Sequence, residues 1–474
     1  MRRLATLTFL FLAIVLPVNA APFAGLARHL AALAKTDGLS GVVLIAKDGK
    51  PVFARAYGYA NLADRIPNRI DTRFNMASMG KMFTAVAVMQ LVEAGKIASL
   101  QDKVGKYLPN YPSQAVREQV TVEQLLTHTS GMGNFWEQLA DKAKDRYRAV
   151  ADYLPLFADE KLAFEPGKGF AYSNNGYTVL GLIVEAASGE DYFDYLRRHI
   201  YAPCAMSDTG AYALDEPVAR IATGYTRSTD KPGALVSNIY TLPYKGSPAG
   251  GSYTTAADLL KFADALVGDK LLNHADTEAL TAGKVDYGTR RYGYGITEDH
   301  INGHRVIGHG GGNTGIADEL LIFTDLGTTA VILTNGDVEN FWDVENFIKR
   351  DLTGPTAETR SFDFTRALID AAVASGYDAG AKMLSASDHP AIRGGLMEQI
   401  GYRLLWQGRV AQGAAVFRLY ALASPAVAYA WLGFGVAAER ARDKPGAIDA
   451  YARYLALEPD DKDAQARLKL LRGS

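Results

Sequence analysis

Ser78-Met79-Gly80-Lys81 sets a hydroxyl and an amine three residues apart. On a helix those positions share a face, so the Lys81 amine can lie against the Ser78 oxygen. A serine hydroxyl attacks a carbonyl only when a base takes its proton, and an amine at that spacing can take it. A helix N-terminus beside the pair adds free N–H groups and a positive dipole end, both favouring negative charge that develops there. By itself the pattern suits Ser78 equally well as a helix N-cap. Ser228-Thr229-Asp230-Lys231 has the same spacing, but Pro232-Gly233 follows it and makes it a loop.

Two further segments carry chemistry. Tyr172-Ser173-Asn174 follows the turn Glu165-Pro166-Gly167-Lys168 and precedes a helical run. A phenol beside a lysine ammonium can have its pKa lowered and relay a proton; among 25 tyrosines, a packing aromatic is the alternative. Gly308-His309-Gly310-Gly311-Gly312-Asn313-Thr314-Gly315 is too glycine-rich for a plain strand. It would let a substrate backbone approach closely and leave N–H groups for an oxyanion; a ligand-free flexible loop is the other reading.

The elements that must hold these residues follow from pattern. Ser40 to Phe53 reads as two β-branched runs joined by Asp48-Gly49, a hairpin signal. Met82 to Glu93 reads as a helix stopped by Gly95, Val122 to Leu126 as the start of another, and Tyr177 to Ala187 as a third ending at Ser188-Gly189. Leu320 to Phe323 and Thr329 to Leu333 flank Asp325-Leu326-Gly327, a second hairpin. Strands at both ends with helices between them imply an α+β layer fold whose antiparallel sheet is assembled from distant parts of the chain.

Composition narrows the class. With 48% hydrophobic and 22% charged residues, the 474-residue chain is neither disordered nor coiled-coil, and its length suits two or three domains. A net charge of −2 argues against nucleic acid as a partner. The single cysteine, Cys204, excludes an intrachain disulfide and a thiolate zinc site, and is expected to be a buried small hydrophobe. The histidines other than His309 show no metal-ligand spacing, so no metal is expected; His128 is expected to close a turn.

Residues 1–20 read as a signal peptide: a Met1-Arg2-Arg3 start, an apolar run from Leu4 to Val18, and small residues before a cut after Ala20. The run is short for a membrane span and Pro17 interrupts it. Loss of Arg2 and Arg3 takes the net charge from −2 to −4. No later segment is apolar for long enough to span a bilayer. The expected location is the bacterial periplasm or the medium.

Beyond Leu352 the chain becomes Ala/Leu-rich and helical in pattern, after Gly354-Pro355-Thr356-Ala357. Phe417 and Tyr451, Tyr420 and Tyr454, Pro425 and Pro459, and Gly413 and Ala447 all stand 34 residues apart. This period resembles a tetratricopeptide repeat, with Ala371 to Leu384 as a degenerate third copy; a plain helical pair capping the catalytic domain is the alternative.

Ser-x-x-Lys, Tyr-Ser-Asn and His-Gly-Gly, in that order, resemble the penicillin-recognising serine hydrolases: class C β-lactamases, D-alanyl-D-alanine carboxypeptidases, and related esterases and D-aminopeptidases. Leu125 to Gly131, Phe170 to Tyr177, Pro203 to Thr209, Gly250 to Asp258 and Tyr292-Gly293-Tyr294-Gly295 extend the resemblance over about Gly25 to Gly336. It implies a β-lactamase-like α+β fold, an antiparallel sheet flanked by helices plus a helical domain, followed here by an all-α repeat domain. The expected divisions are a signal peptide over 1–20, a hydrolase domain over 21–352, a linker over 353–365 and a helical tetratricopeptide-like domain over 366–474.

The resemblance implies Ser78 as nucleophile, with Lys81 and Tyr172 sharing the base and acid roles. Asn174 orients Lys81 and meets the substrate amide, and the N–H groups of Ser78 and Gly312 form the oxyanion hole. His309, Gly310 and Gly311 border the substrate. No cofactor is implied. The substrate would be a small-molecule ester, a peptide or a β-lactam, and the helical repeats could bind a protein partner. At His309 the sequence departs from β-lactamases, which usually place Lys there. A mostly neutral imidazole holds a substrate carboxylate less strongly, so an esterase or carboxypeptidase-like hydrolase is expected ahead of a class C β-lactamase or a non-catalytic scaffold.

Overall fold

The computed structural model describes residues 23–36, 38–140, 144–228, 230–337, 339–385 and 388–473. The expected signal peptide, 1–20, lies outside them. Strands β1 (Gly41–Lys47) and β2 (Lys50–Tyr57) pair across Asp48-Gly49, whose φ values of 49° and 72° match the twist of a two-residue hairpin turn. The remaining sheet strands come from the other end of the hydrolase region: β3 (Val285–Tyr287), β4 (Arg290–Tyr292), β5 (Thr297–Ile301), β6 (His304–Asn313), β7 (Ile316–Phe323) and β8 (Thr328–Thr334). Their order is β2-β1-β8-β7-β6-β5-β4-β3, antiparallel throughout. The two ends meet where β1 pairs with β8, Gly41 opposite Thr334 and Lys47 opposite Thr328.

Both faces of the sheet are covered, which is why β7 is buried at every position. Leu320 and Ile322 of β7 join the core built on α2 (Gly80–Glu93), α3 (Asn174–Ser188) and α4 (Ala256–Val267). Ala317, Leu321 and Phe323 face α1 (Ala24–Thr36) and α5 (Glu339–Thr353). On that second face Arg290 of β4 bonds Glu319 of β7 at 2.8 Å and Glu345 of α5 at 2.9 Å, and Lys349 completes the set at 2.8 Å from Glu345.

Helix α2 has no polar face; Gly80 to Met89 and Leu91 are all buried, as befits a helix through the middle of a core. It starts two residues before the expected Met82, and α3 starts three before the expected Tyr177. A count from the first apolar residue misses these turns, which burial of Lys81 and the Ser173 cap supply. Ser173 Oγ accepts from Gly176 N at 2.9 Å, and Gly189, at φ 77°, ends α3.

The C-terminal part is all helix: α6 (Ala357–Ser375), α7 (Tyr377–Leu384), α8 (Gly394–Trp406), α9 (Val410–Ala423), α10 (Ala428–Arg440), α11 (Lys444–Leu457) and α12 (Lys462–Arg472). Within the expected linker, 353–365, only residues 354–356 lie outside helices. Thr356 caps α6 by accepting from Thr359 N at 3.0 Å, so the chain turns helical at once. Helices α8, α10 and α12 begin at 394, 428 and 462, and α9 and α11 at 410 and 444. The 34-residue step is therefore a step in structure, and its earliest unit is α7–α8 rather than Ala371 to Leu384. Phe417, Tyr451, Gly413 and Ala447 are buried in this unit's own core. Gly433 is required there, because a Cβ would come within 2.2 Å of the Phe417 ring.

Candidate active site

Ala77–Met79 forms one 3₁₀ turn that runs into α2. Ala77 sits at φ 40°, an unfavourable conformation for a residue with a Cβ. Three bonds hold it: Ala77 N donates to Asn75 Oδ1 at 2.9 Å, Gly251 N donates to Ala77 O at 3.0 Å, and Asn75 Nδ2 donates to Gly251 O at 3.2 Å. Gly250 packs so closely that a Cβ would lie 2.1 Å from Ala77 O. Gly295 of the Tyr-Gly-Tyr-Gly segment presses equally on α2, its Cβ position 2.7 Å from Lys81 O. These glycines allow two backbones to close on the turn carrying Ser78.

Lys81 is fully buried one helical turn on. Its Nζ lies 3.2 Å from Ser78 Oγ, 2.7 Å from Asn174 Oδ1 and 2.7 Å from Ala249 O. The rings of Tyr172 and Tyr177 lie 4.7 and 5.4 Å from it. Burial lowers its pKa well below the ordinary 10.5. A neutral amine has two protons. As an ammonium Lys81 donates to all three oxygens; once deprotonated, its two protons stay with Asn174 Oδ1 and Ala249 O, which can only accept, and the lone pair turns to Ser78.

Tyr172 flanks the same hydroxyl. The expected lowering of its pKa is not found: burial raises it, and the bond to Ser78 offsets this only in part. Lys81 stands over the ring face and not at the phenol oxygen, so its charge does little for a phenolate. Asn174 is itself positioned by Asn134, whose Oδ1 accepts from Asn174 N and Nδ2, both at 2.9 Å, while Asn134 Nδ2 donates to Tyr172 O at 3.0 Å.

Ser78, Tyr172, Asn174 and Gly312 line a cavity of about 230 Å³, together with Asn75, Trp136, Pro243 and Asn313. Lys81 lies beneath its floor. His309, Gly310 and Gly311 stand behind the wall. His309 Nε2 accepts from Tyr292 OH at 2.9 Å and its Nδ1 donates to Gly310 O. Burial, then the nearby Lys81 charge, pushes its pKa down to about 3, so the imidazole is neutral. A Cβ on Gly310 would meet Glu319 at 2.5 Å and one on Gly311 would meet Met76 O at 2.4 Å, but one on Gly312 would meet nothing within 4 Å.

His128 is buried at φ 60° and its Nδ1 accepts from Ser173 N at 3.0 Å, tying its turn to the start of α3. Cys204 is buried, its thiol pushed up to about 11. Ser228 and Lys231 lie in a loop, Lys231 N donating to Ser228 Oγ at 3.0 Å. Trp136 and Pro243 come from the loops 136–148 and 226–246, which the sequence suggests as pocket-lining; sequence reasoning missed Asn75, Asn134 and Ala249. Asn134 follows the Thr-His-Thr-Ser-Gly segment closely enough to have been suspected. Ala249 acts through its backbone oxygen and carries no side-chain signal.

A serine turn beneath an antiparallel sheet, with a lysine under it and a tyrosine opposite, is the arrangement of a class of serine hydrolases that work through an acyl-enzyme. Residues 26–354 match the Beta-lactamase family model, and the chain belongs to that family. It is 30% identical over 327 residues to penicillin-binding protein 4* of Bacillus subtilis, covering 65% of this chain and 71% of that one. Among solved structures it is similar to a penicillin-binding protein of Bacillus halodurans, with 33% identity and a TM-score of 0.62 over 68% of this chain and 98% of that one. It is also similar to a D-stereospecific amidohydrolase of a Streptomyces species, with 25% identity and a TM-score of 0.58 over 70% and 99%. No helix among the described residues is long and apolar enough to cross a membrane.

Proposed function

We propose that this protein is an exported serine hydrolase forming an acyl intermediate on Ser78, acting on an ester or a D-amino-acid amide. The observation that carries the reading is the placement of Lys81: its buried Nζ lies 3.2 Å from Ser78 Oγ and is oriented by Asn174 Oδ1 and Ala249 O, both at 2.7 Å, so that once deprotonated it can take the serine proton. Ser78 Oγ attacks the carbonyl while Lys81 takes its proton. The N–H groups of Ser78 and Gly312 receive the oxyanion, the largest electrostatic contribution expected in such a site. Tyr172, protonated at working pH, passes a proton to the leaving alcohol or amine. Water then attacks the acyl-enzyme by the reverse relay.

The cavity walls among the described residues are uncharged, and His309 is a neutral imidazole behind them. This favours uncharged esters and amides over substrates with a carboxylate beside the scissile bond. A D-alanyl-D-alanine carboxypeptidase or an efficient class C β-lactamase fits less well. The similarity to a D-stereospecific amidohydrolase supports the amide branch. The domain reading becomes a signal peptide over 1–20, a hydrolase domain from 21, and a tetratricopeptide-like unit whose helices start at Ala357. Export to the periplasm or medium predicts a mature N-terminus at Ala21.

The test is incubation with a chromogenic short-chain ester, an aromatic D-amino-acid amide, a fluorophosphonate and a fluorescent penicillin, beside Ser78→Ala. Ester or amide turnover and a fluorophosphonate adduct, both lost in Ser78→Ala, are expected. Fast cephalosporin turnover would favour the β-lactamase. Inertness to every probe would sink the hydrolase reading and leave a scaffold acting through its repeats.

A further inference from the structure

A short two-stranded hairpin, Tyr225–Arg227 and Leu235–Ser237, stands apart from the main sheet. Such a hairpin is marginally stable alone in water. Burial holds it only in part: Tyr225–Arg227 is half-buried, while Leu235 and Val236 are 50% and 43% exposed. Beside it a hollow of about 400 Å³, lined by Tyr59, Tyr225, Leu235, Phe341 and Trp406, separates the hydrolase domain from the helical unit. Directed contacts therefore matter to it, among them the bond from Leu62 N to the Tyr225 hydroxyl at 2.9 Å. Tyr225 N donates to Asn335 O at 3.1 Å, Arg227 N to the Asp337 carboxylate at 3.3 Å, and the indole N–H of Trp406 to Ser228 O at 3.1 Å. The Arg227 guanidinium also lies 5.7 Å from the centre of the Trp406 ring.

Trp406 is the last residue of α8 and takes no part in the apolar core of the helical unit. One 34-residue step on, the matching position is Arg440. The indole is not explained by repeat packing. At its far end the hairpin runs into the cavity. Asn238 N donates to Gly224 O at 2.9 Å and its Nδ2 to Thr314 O at 2.8 Å, gripping the turn that follows Gly312 and Asn313. Leu242 packs on Ala77 and Ile316, and Pro243 forms part of the cavity wall.

We propose that Trp406 is a positioning residue for the catalytic cavity: by holding Ser228 O it sets the hairpin, and through Asn238 and Leu242 it sets the Pro243 wall and the turn beyond Gly312. The helical unit is thus a support for one side of the substrate cleft. The kinetic arm of the test rests on Ser78 being the nucleophile; the exchange arm does not.

Trp406→Phe and Trp406→Ala are compared with Tyr429→Ala, a 62% exposed position on α10. Rates are normalised to the fraction of protein labelled by fluorophosphonate, using esters of increasing acyl length. KM for esters long enough to reach Pro243 should rise about fivefold in Trp406→Phe, the equilibrium weight of one lost hydrogen bond, and further in Trp406→Ala. Acetate-ester kinetics, kcat and Tyr429→Ala should stay within about twofold. Amide exchange in segments 235–246 and 313–315 should quicken while α2 and α9–α12 are unchanged. Unchanged KM at every length would overturn the proposal, as would loss of kcat at all lengths or faster exchange throughout the helical unit. If Ser78 is inert, the exchange pattern decides alone.

Discussion

At the scale of single residues, the contrast between Lys81 and His309 organises the chemistry. Both are buried and can hold a proton, but Lys81 touches Ser78, the proposed nucleophile, and His309 touches a tyrosine and its own strand. In the proposed mechanism, acylation of Ser78 needs the neutral amine. Because the folded pKa of Lys81 is lowered, the fluorophosphonate labelling rate should climb with pH and reach its plateau well short of 10.5. A rise continuing to 10.5 would count against Lys81 as base. The unfolded chain holds that proton up to 10.5, so the same shift makes the fold gain stability as pH rises from the folded value to 10.5. His309, held near 3, should contribute no inflection between pH 5 and 8. His309→Lys should not create a β-lactamase. It would bury a second ammonium near Lys81 and destabilise by at least about 2 kcal/mol, read as a lower denaturation midpoint. The serine–lysine spacing was legible because it spans one helical turn. The direction of the Tyr172 shift was not, because burial comes from segments far away in the chain.

At the scale of elements, the site is made by close approach. The bond from Lys81 to Ala249 O joins residues 168 apart, and the one to Asn174 joins residues 93 apart. Gly250 is the point of closest contact. Gly250→Ala would force a Cβ into Ala77 O at a φ of 137°, so destabilisation of about 1–3 kcal/mol and slower labelling of Ser78 are expected together. Normal labelling with normal stability would show that the turn can shift without harm. The glycine-rich motifs were visible as sequence, and the strand and helix types followed from periodicity and turn residues. What they clear, space for Gly250, Gly295 and Gly311 at the Ser78 turn and α2 and for Gly308 and Gly310 against β7, needed the register of the sheet.

At the scale of the molecule, an apolar core lies on each face of the sheet and a third within α6–α12, with Trp342 packed against the last and against the core under α1 and α5. Polar contacts cross the seam, Arg366 to Asp343 at 3.1 Å and Arg350 to Asp363 at 2.6 Å. With the two cores that share the sheet as one unit and the helical core as another, two calorimetric transitions are predicted. Gly433→Ala, which would drive a methyl into the Phe417 ring, should lower one by several degrees and leave the other within about one degree. A single transition that moves as a whole would show that the seam couples the cores fully. The 34-residue repeat was legible in the sequence at Phe417 and Tyr451, whereas the hairpin that joins the units was hidden, being set by contacts and not by pattern.

Of the glycines at 308, 310, 311 and 312, three are fixed by neighbours a methyl group would strike, and only Gly312 faces open space. A descendant of this sequence could therefore accept alanine or serine at 312 without disturbing its fold, narrowing the cleft by the width of the new side chain. Inheritance at the other three is closed to drift. Within this motif, divergence of substrate preference among its descendants would begin at that one codon.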